Sequence, residues 1–295
     1  MKLLTYNYQG KESIGVLTAD GKKVIPAGVV GLNYNTMNEL ITKASKDELS
    51  KLEKAASCTD EKGAISLEDT VKVSPIPHPL QDIICLGFNY LEHAEESVRL
   101  EKVGVQEPPT HAIYFSKRVD RAVPDGGEVP CHSDLEKKLD YEVELALIIG
   151  KDAKNVPADQ AWDYIFGYTI LNDISARTLQ GLHKQFYFGK SLDGFNPLGP
   201  WIVTADEFDT PPNLAISCCV NGELRQNSNT KHLLFDIPHI ISELSSGMTL
   251  KAGTIIATGT PSGVGGGMVP QQFLKPGDVV ECKIEKVGTL RNTIV

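Results

Sequence analysis

Asp140-Tyr141-Glu142-Val143-Glu144-Leu145-Ala146-Leu147-Ile148-Ile149-Gly150 is the stretch on which the fold turns. Alternate side chains of a strand point to opposite faces. Val143, Leu145, Leu147 and Ile149 then share one face, and Glu142, Glu144, Ala146, Ile148 and Gly150 share the other. A lone E-x-E more often marks a solvated face, because isolated acidic residues stay exposed. Here the acidic face runs on as apolar residues, so the sequence predicts a strand covered on both sides. Two covered carboxylates side by side repel and lose hydration, so they need protons or a cation. Oxygen-only ligands suit Mg²⁺, Mn²⁺ or Ca²⁺ rather than zinc. A third carboxylate should come from elsewhere. Asp173, in Gly167-Tyr168-Thr169-Ile170-Leu171-Asn172-Asp173-Ile174-Ser175-Ala176-Arg177, ends the next predicted strand and is the natural candidate. The competing reading is a turn or capping aspartate.

Outward from this strand, the composition stays rich in strands. Ile83 to Gly87, Trp201 to Val203, Ala215 to Val220, Thr254 to Ala257 and Val279 to Ile284 all carry it. Asn221-Gly222 is a hairpin signal. Helices are fewer: Asn89 to about Glu101 with Asn89 as N-cap, Pro157 to Tyr164, and Ile237 to Ser245 after the cap Asp236. Toward the N-terminus, Leu3 to Tyr8 and Ser13 to Leu17 read as strands around a turn Gln9-Gly10-Lys11-Glu12. Met37 to Lys54 has helical spacing with a break near Ser45. Ser74-Pro75-Ile76-Pro77-His78-Pro79-Leu80 is an extended connector, since alternating prolines fit neither a helix nor a central strand. The predicted organisation is a small α+β domain over 1–73, a connector over 74–80 and a larger domain over 81–295. Because helices do not alternate regularly with strands, the fold class is α+β and strand-rich, a mixed β-roll or sandwich.

The bulk numbers limit the partners. The chain has 295 residues, 29 basic and 38 acidic, for a net charge of −9. Without a basic run, neither nucleic acid nor an anionic membrane is an expected partner. No apolar leader and no long apolar run stand out, and the six cysteines form no C-x-x-C pair. These features predict a cytoplasmic protein with free thiols. An anionic substrate would then need a local positive focus.

Two phosphate motifs fail. Phe188-Gly189-Lys190-Ser191 resembles the end of a P-loop, but Lys184 stands where its first glycine is needed. Gly263-Val264-Gly265-Gly266-Gly267 resembles a dinucleotide fingerprint, but Met268 replaces the third glycine and Pro270 follows. In the helix after Asn89, His93 and Glu96 are three apart and therefore neighbours. Such a pair is most often an exposed ion pair. It can also be an imidazole oriented by a carboxylate to act as a base.

Tyr141-Glu142-Val143-Glu144-Leu145 followed by Gly167-Tyr168 and Asn172-Asp173-Ile174-Ser175-Ala176-Arg177 resembles the metal site of the fumarylacetoacetate hydrolase family. The resemblance continues through Gly189-Lys190-Ser191-Leu192-Asp193-Gly194-Phe195-Asn196-Pro197-Leu198-Gly199-Pro200, Thr258-Gly259-Thr260-Pro261-Ser262-Gly263-Val264-Gly265 and Leu274-Lys275-Pro276-Gly277-Asp278. It covers most of residues 80–295. It implies Glu142, Glu144 and Asp173 as ligands of Mg²⁺ or Mn²⁺. It implies His93 and Glu96 as a dyad on a lid helix, with residues 99–112 as the lid's continuation. Lys190 would stand near the metal, and Arg177, Gln180 and Thr260 on the substrate side. Thr178 departs from the aspartate usual after the arginine. The reaction implied is hydrolytic C–C cleavage of a small anionic 2-oxo acid of the acylpyruvate kind. An oxaloacetate-type decarboxylase, a dienoate isomerase and a non-catalytic binding protein are the alternatives on the same blocks. Family members usually pair through this domain, so a homodimer is expected.

Overall fold

The computed structural model describes residues 1–58, 62–97 and 109–295. Strands dominate, arranged as an eleven-stranded sheet, a five-stranded sheet and a two-stranded ribbon. In the large sheet the strand Val143–Ile149 pairs antiparallel with Ile165–Asn172 on one side and Ile255–Ala257 on the other. All seven of its residues are buried. Val143, Leu145, Leu147 and Ile149 pack into a core shared with Ile216, Cys218, Val280 and Cys282 of the five-stranded sheet. Ala146 and Ile148 face a second core, where Met37, Leu40, Ile41 and Leu52 of the N-terminal helices cover the sheet. The alternation read in the sequence is therefore an alternation between two cores. This strand-rich mixed architecture is the predicted fold class.

Several local signals act as expected. Ser45 caps the helix Lys46–Ala56 in a reciprocal box with Glu48, which ends the preceding helix Met37–Lys43. Asp236 caps Ile237–Gly247 by accepting the His239 N–H. Asn221-Gly222 joins Ala215–Val220 to Glu223–Asn229. No helix among the described residues is long and apolar enough to cross a membrane.

Other signals are overridden. The first hairpin turns at Gln9-Gly10, both at positive φ (52° and 81°), and Lys11 and Glu12 are already paired in the next strand. Two consecutive positive φ angles match the twist of the flanking strands better than a longer turn. Pro157 precedes a 3₁₀ helix, Ala158–Tyr164, rather than an α-helix. Asn89 does not cap the helix, which spans Leu91–Ser97. Its amide donates to the carbonyl oxygens of Phe235 and Thr258 and accepts the Phe235 N–H. Those three bonds tie together two distant segments, which one cap could not do. The predicted extension to Glu101 and most of 99–112 lie outside the described residues.

The N-terminal strand Lys2–Tyr8 pairs with Leu198–Thr204, with Leu3 opposite Ile202. The main sheet thus runs on across the proline-rich connector.

Candidate active site

Glu142 immediately precedes the strand Val143–Ile149 and Glu144 follows two residues later, so the pleat puts both side chains on one side. Asp173 follows Ile165–Asn172, and pairing of Val143 with Asn172 brings it level with Glu142. The Asp173 N–H donates to the Glu142 carbonyl oxygen at 2.8 Å. One oxygen from each of the three carboxylates lies within 4.8 Å of the others, and all three residues are buried.

Three cations stand among them. Lys190 Nζ donates to Glu142 Oε2 at 2.6 Å and to Asp173 Oδ2 at 2.7 Å. Lys117, fully buried, donates to the other Asp173 oxygen and to the Ile174 carbonyl. Arg177 meets Glu142 Oε1 at 2.7 Å and Asp140 Oδ2 at 3.0 Å. Glu144 is different. It accepts the Gly259 N–H at 2.9 Å, and among the described residues no basic side chain reaches it.

This asymmetry sets the electrostatics. Burial opposes ionisation of Glu142, but Lys190 and Arg177 outweigh it and hold the carboxyl below the usual range. Burial likewise acts on Glu144, and there Asp173 and Glu142 reinforce it, so the carboxyl is pushed well above its ordinary value. Burial disfavours the charged form of both lysines; Asp173 and Glu142 reverse that at Lys190, whereas at Lys117 burial prevails. A buried carboxylate in the state of Glu144 takes a proton or a cation. Three convergent oxygen donors, one without an ion-pair partner, fit a hard divalent cation.

His93 and Glu96 are 4% and 6% exposed, which removes the exposed-ion-pair reading. His93 Nδ1 lies 3.3 Å from Glu96 Oε2. The glycine run that failed as a nucleotide motif has another use. The Gly263 N–H donates to both Glu96 oxygens, at 3.0 and 3.1 Å. The Gly265 and Gly266 N–H groups donate to Asp140, at 2.7 and 2.9 Å. One loop of backbone N–H groups therefore fixes both Glu96, the partner of His93, and Asp140, the partner of Arg177. At Gly267 an added Cβ would stand only 2.1 Å from Glu96 Cδ, so the loop closes on this carboxylate because it carries no side chain there.

The remaining predicted residues join the same place. Gln180 Oε1 accepts from Arg177 at 3.2 Å. Thr178, standing where the family's aspartate is usual, donates its hydroxyl and its N–H to Glu136, and Asp140 and Glu142 are the carboxylates that hold Arg177. The Thr260 hydroxyl donates to the Val143 carbonyl and accepts from Gln226, so it is committed to the fold while the residue still borders the cavity. The cavity has a volume of about 290 Å³. Glu142, Glu144, Lys190 and Arg177 line it, together with His93 and Gln180. Sequence reasoning missed Lys117, Asp140 and Gln226. Lys117 ends the strand Ile113–Lys117 before Arg118 and reads like a surface terminus. Asp140 stood inside the decisive stretch with the same parity as Glu142 and Glu144, and that alternation is the signal that could have found it.

The family profile described as fumarylacetoacetate (FAA) hydrolase C-terminal matches residues 82–295. The chain belongs to this family. Among its relatives is the oxaloacetate tautomerase YisK of Bacillus subtilis, 45% identical over 80% of this chain and 77% of that protein. Among solved structures, the fumarylacetoacetate hydrolase of Exiguobacterium antarcticum superposes with a TM-score of 0.82 at 37% identity, covering 100% of this chain and 99% of that one. Maleylpyruvate hydrolase from Sphingobium sp. SYK-6, in complex with manganese(II) ion and pyruvate, gives 0.75 at 30% identity over 100% and 99%. The family thus includes proteins named for hydrolysis and for tautomerisation.

Proposed function

We propose that the chain is a divalent-metal-dependent enzyme that hydrolyses a C–C bond in a small acidic 2-oxo compound of the acylpyruvate kind. The observation that carries this reading is buried His93, held by buried Glu96, lining the same cavity as Glu142, Glu144 and Lys190. Glu142, Glu144 and Asp173 would hold Mg²⁺ or Mn²⁺, which when bound supplies Lewis acidity toward a 2-oxo acid. The manganese and pyruvate bound to the maleylpyruvate hydrolase relative support that assignment.

The chain's own residues account for the rest. Glu96 engages Nδ1 of His93, leaving Nε2 as the nitrogen that takes a proton from water. That water adds to the 4-carbonyl, the C3–C4 bond breaks, and its electron pair passes into the enolate of pyruvate. The acyl carbon leaves as a carboxylic acid, and protonation at C3 gives pyruvate. Lys190, charged and fixed by two carboxylates, is placed to stabilise the enolate's negative charge. Arg177 and Gln180 border the cavity as donors toward the substrate's own carboxylate.

A second reading has the YisK relative in its favour. Proton transfer by His93 without water addition would interconvert keto and enol forms of an oxaloacetate-like acid, and enolate stabilisation alone would serve decarboxylation. The two readings separate in His93→Ala. Pyruvate release from an acylpyruvate should fall about 10²–10⁴-fold, as for loss of a general base, while decarboxylation of oxaloacetate falls less. An equal loss in both would assign His93 to a proton common to both reactions and overturn its role as activator of water.

A further inference from the structure

The cavity wall also carries three phenylalanines beside its charged groups. Phe88, Phe115 and Phe186 come from three separate elements and line it together. Phe88 follows the strand Ile83–Gly87, Phe115 lies in Ile113–Lys117, and Phe186 opens the helix Phe186–Lys190. The Phe186 ring meets Phe115 and Phe88 edge-on, with centroids 5.2 and 6.0 Å apart. The wall touches both chemical poles of the site. Phe88 stacks on the His93 imidazole at 5.6 Å, and the Phe115 ring lies 5.4 Å from Lys190 Nζ.

The backbone supports this placement at some cost. Phe88 has φ +55°, the left-handed region that bulky side chains rarely adopt. Such residues persist where the surroundings over-determine them, and they cluster at sites. Here the strained turn puts the ring between His93 and Phe186 instead of out toward solvent. The preceding Gly87 adds a second accommodation, because a Cβ there would press on the Phe186 ring at 3.3 Å.

We infer that Phe88, Phe115 and Phe186 form an apolar seat for the acyl substituent of the substrate, so that the site takes a 2-oxo acid with an uncharged alkyl or aryl far end. A second carboxylate on this seat would lose its hydration and face ring π-clouds of like sign. The inference rests on the proposed reading of the site, in which the 2-oxo acid end lies at the carboxylate cluster and His93 faces the bond to the acyl carbon. It separates the chain from an enzyme for a four-carbon dicarboxylate.

The test is calorimetric titration of the Mn²⁺-loaded protein with pyruvate, 2-oxobutanoate, 2-oxopentanoate, 2-oxohexanoate and 2-oxoglutarate. Affinity should rise about fourfold per added methylene, as for transfer of a methylene out of water. 2-Oxoglutarate should bind at least about tenfold more weakly than 2-oxohexanoate. Phe186→Ala should flatten the chain-length series, and Phe186→Leu should keep most of it. A flat or falling series in the native protein, or 2-oxoglutarate binding as well as 2-oxohexanoate, overturns the seat while leaving the metal-site reading intact. A rising series without pyruvate release from hexanoylpyruvate or benzoylpyruvate supports the seat and overturns hydrolysis instead. Failure of every 2-oxo acid to bind overturns both.

Discussion

Gly267→Ala should disable the His93–Glu96 pair while sparing the carboxylate cluster. The new methyl group would stand 2.1 Å from Glu96 Cδ, 2.2 Å from Cγ and 2.3 Å from Oε1. Ordinary contact begins at 3.4 Å, so the carboxyl carbon must retreat by about 1.3 Å, that is 3.4 minus 2.1. The Nδ1 to Oε2 distance is already 3.3 Å, near the limit of a hydrogen bond, and a shift of that size does not preserve its geometry. It also loosens the two Gly263 bonds to Glu96. Gly267 is not at positive φ, so alanine suits its backbone, and what must give way is the Glu96 side chain from Cγ outward. Misplacing a catalytic group by about 1 Å costs on the order of 10²-fold, and kcat for acylpyruvate cleavage should fall by that much. The assay is steady-state pyruvate release, with Mn²⁺ affinity measured in parallel and expected to stay unchanged. In a His93→Ala background the same substitution should add little, because the group it disorients is already gone. A Gly267→Ala enzyme with native kcat, or one whose loss multiplies with that of His93→Ala, would refute the reasoning.

Other expectations concern the metal, the buried lysine and assembly. Glu144→Gln should weaken Mn²⁺ binding by at least about tenfold and abolish turnover, since even outer-shell changes cost that much; full activity after exhaustive chelation would remove the metal from the mechanism. In the metal-free protein Glu144 keeps its proton to higher pH than in the unfolded chain, where the value is 4.5. Its contribution to stability is therefore present at low pH and lost as pH rises. Mn²⁺ replaces that proton, so the Tm gain on adding Mn²⁺ should widen as pH rises above about 5, and a constant gain would contradict this. Lys117→Met leaves Asp173 with one of its two ammonium partners, so urea unfolding should show a loss of about 1.5–3 kcal/mol, as for a hydrogen bond to a charged group; a change within about 0.5 kcal/mol would show that the contact contributes nothing. Pairing through residues 80–295 predicts sedimentation at twice the chain mass at micromolar concentration, and a single chain mass would rule it out.

The parts of the fold legible in sequence are those decided locally. The alternation of Val143 to Ile149, the break near Ser45 and the Asp236 cap each rest on a few adjacent residues, and each stands in the structure. Asn89 shows the limit, since its amide serves Phe235 and Thr258, neighbours that no local pattern discloses. The helices Arg177–His183 and Phe186–Lys190 were not read either, being short and each interrupted by a glycine, Gly181 and Gly189. In the site, the carboxylates were legible because two of them share one strand face. Lys117 and the glycine loop were not, because their partners, Asp173, Asp140 and Glu96, lie far away in the chain. The phenylalanine wall is dispersed over three elements and carries no spacing at all.

The pairing of Lys2–Tyr8 with Leu198–Thr204 bears on how this chain can be handled. If the first 73 residues were cut away at the prolines, Leu198–Thr204 would become the bare rim of the large sheet. Its N–H and C=O groups would lie open beside Leu198 and Ile202, both wholly buried in the intact chain. An unprotected rim of that kind recruits strands from other molecules. The opening strand, remote from every charged group in the cavity, thus acts as a guard against self-association, and a truncated catalytic half should precipitate before it can be assayed.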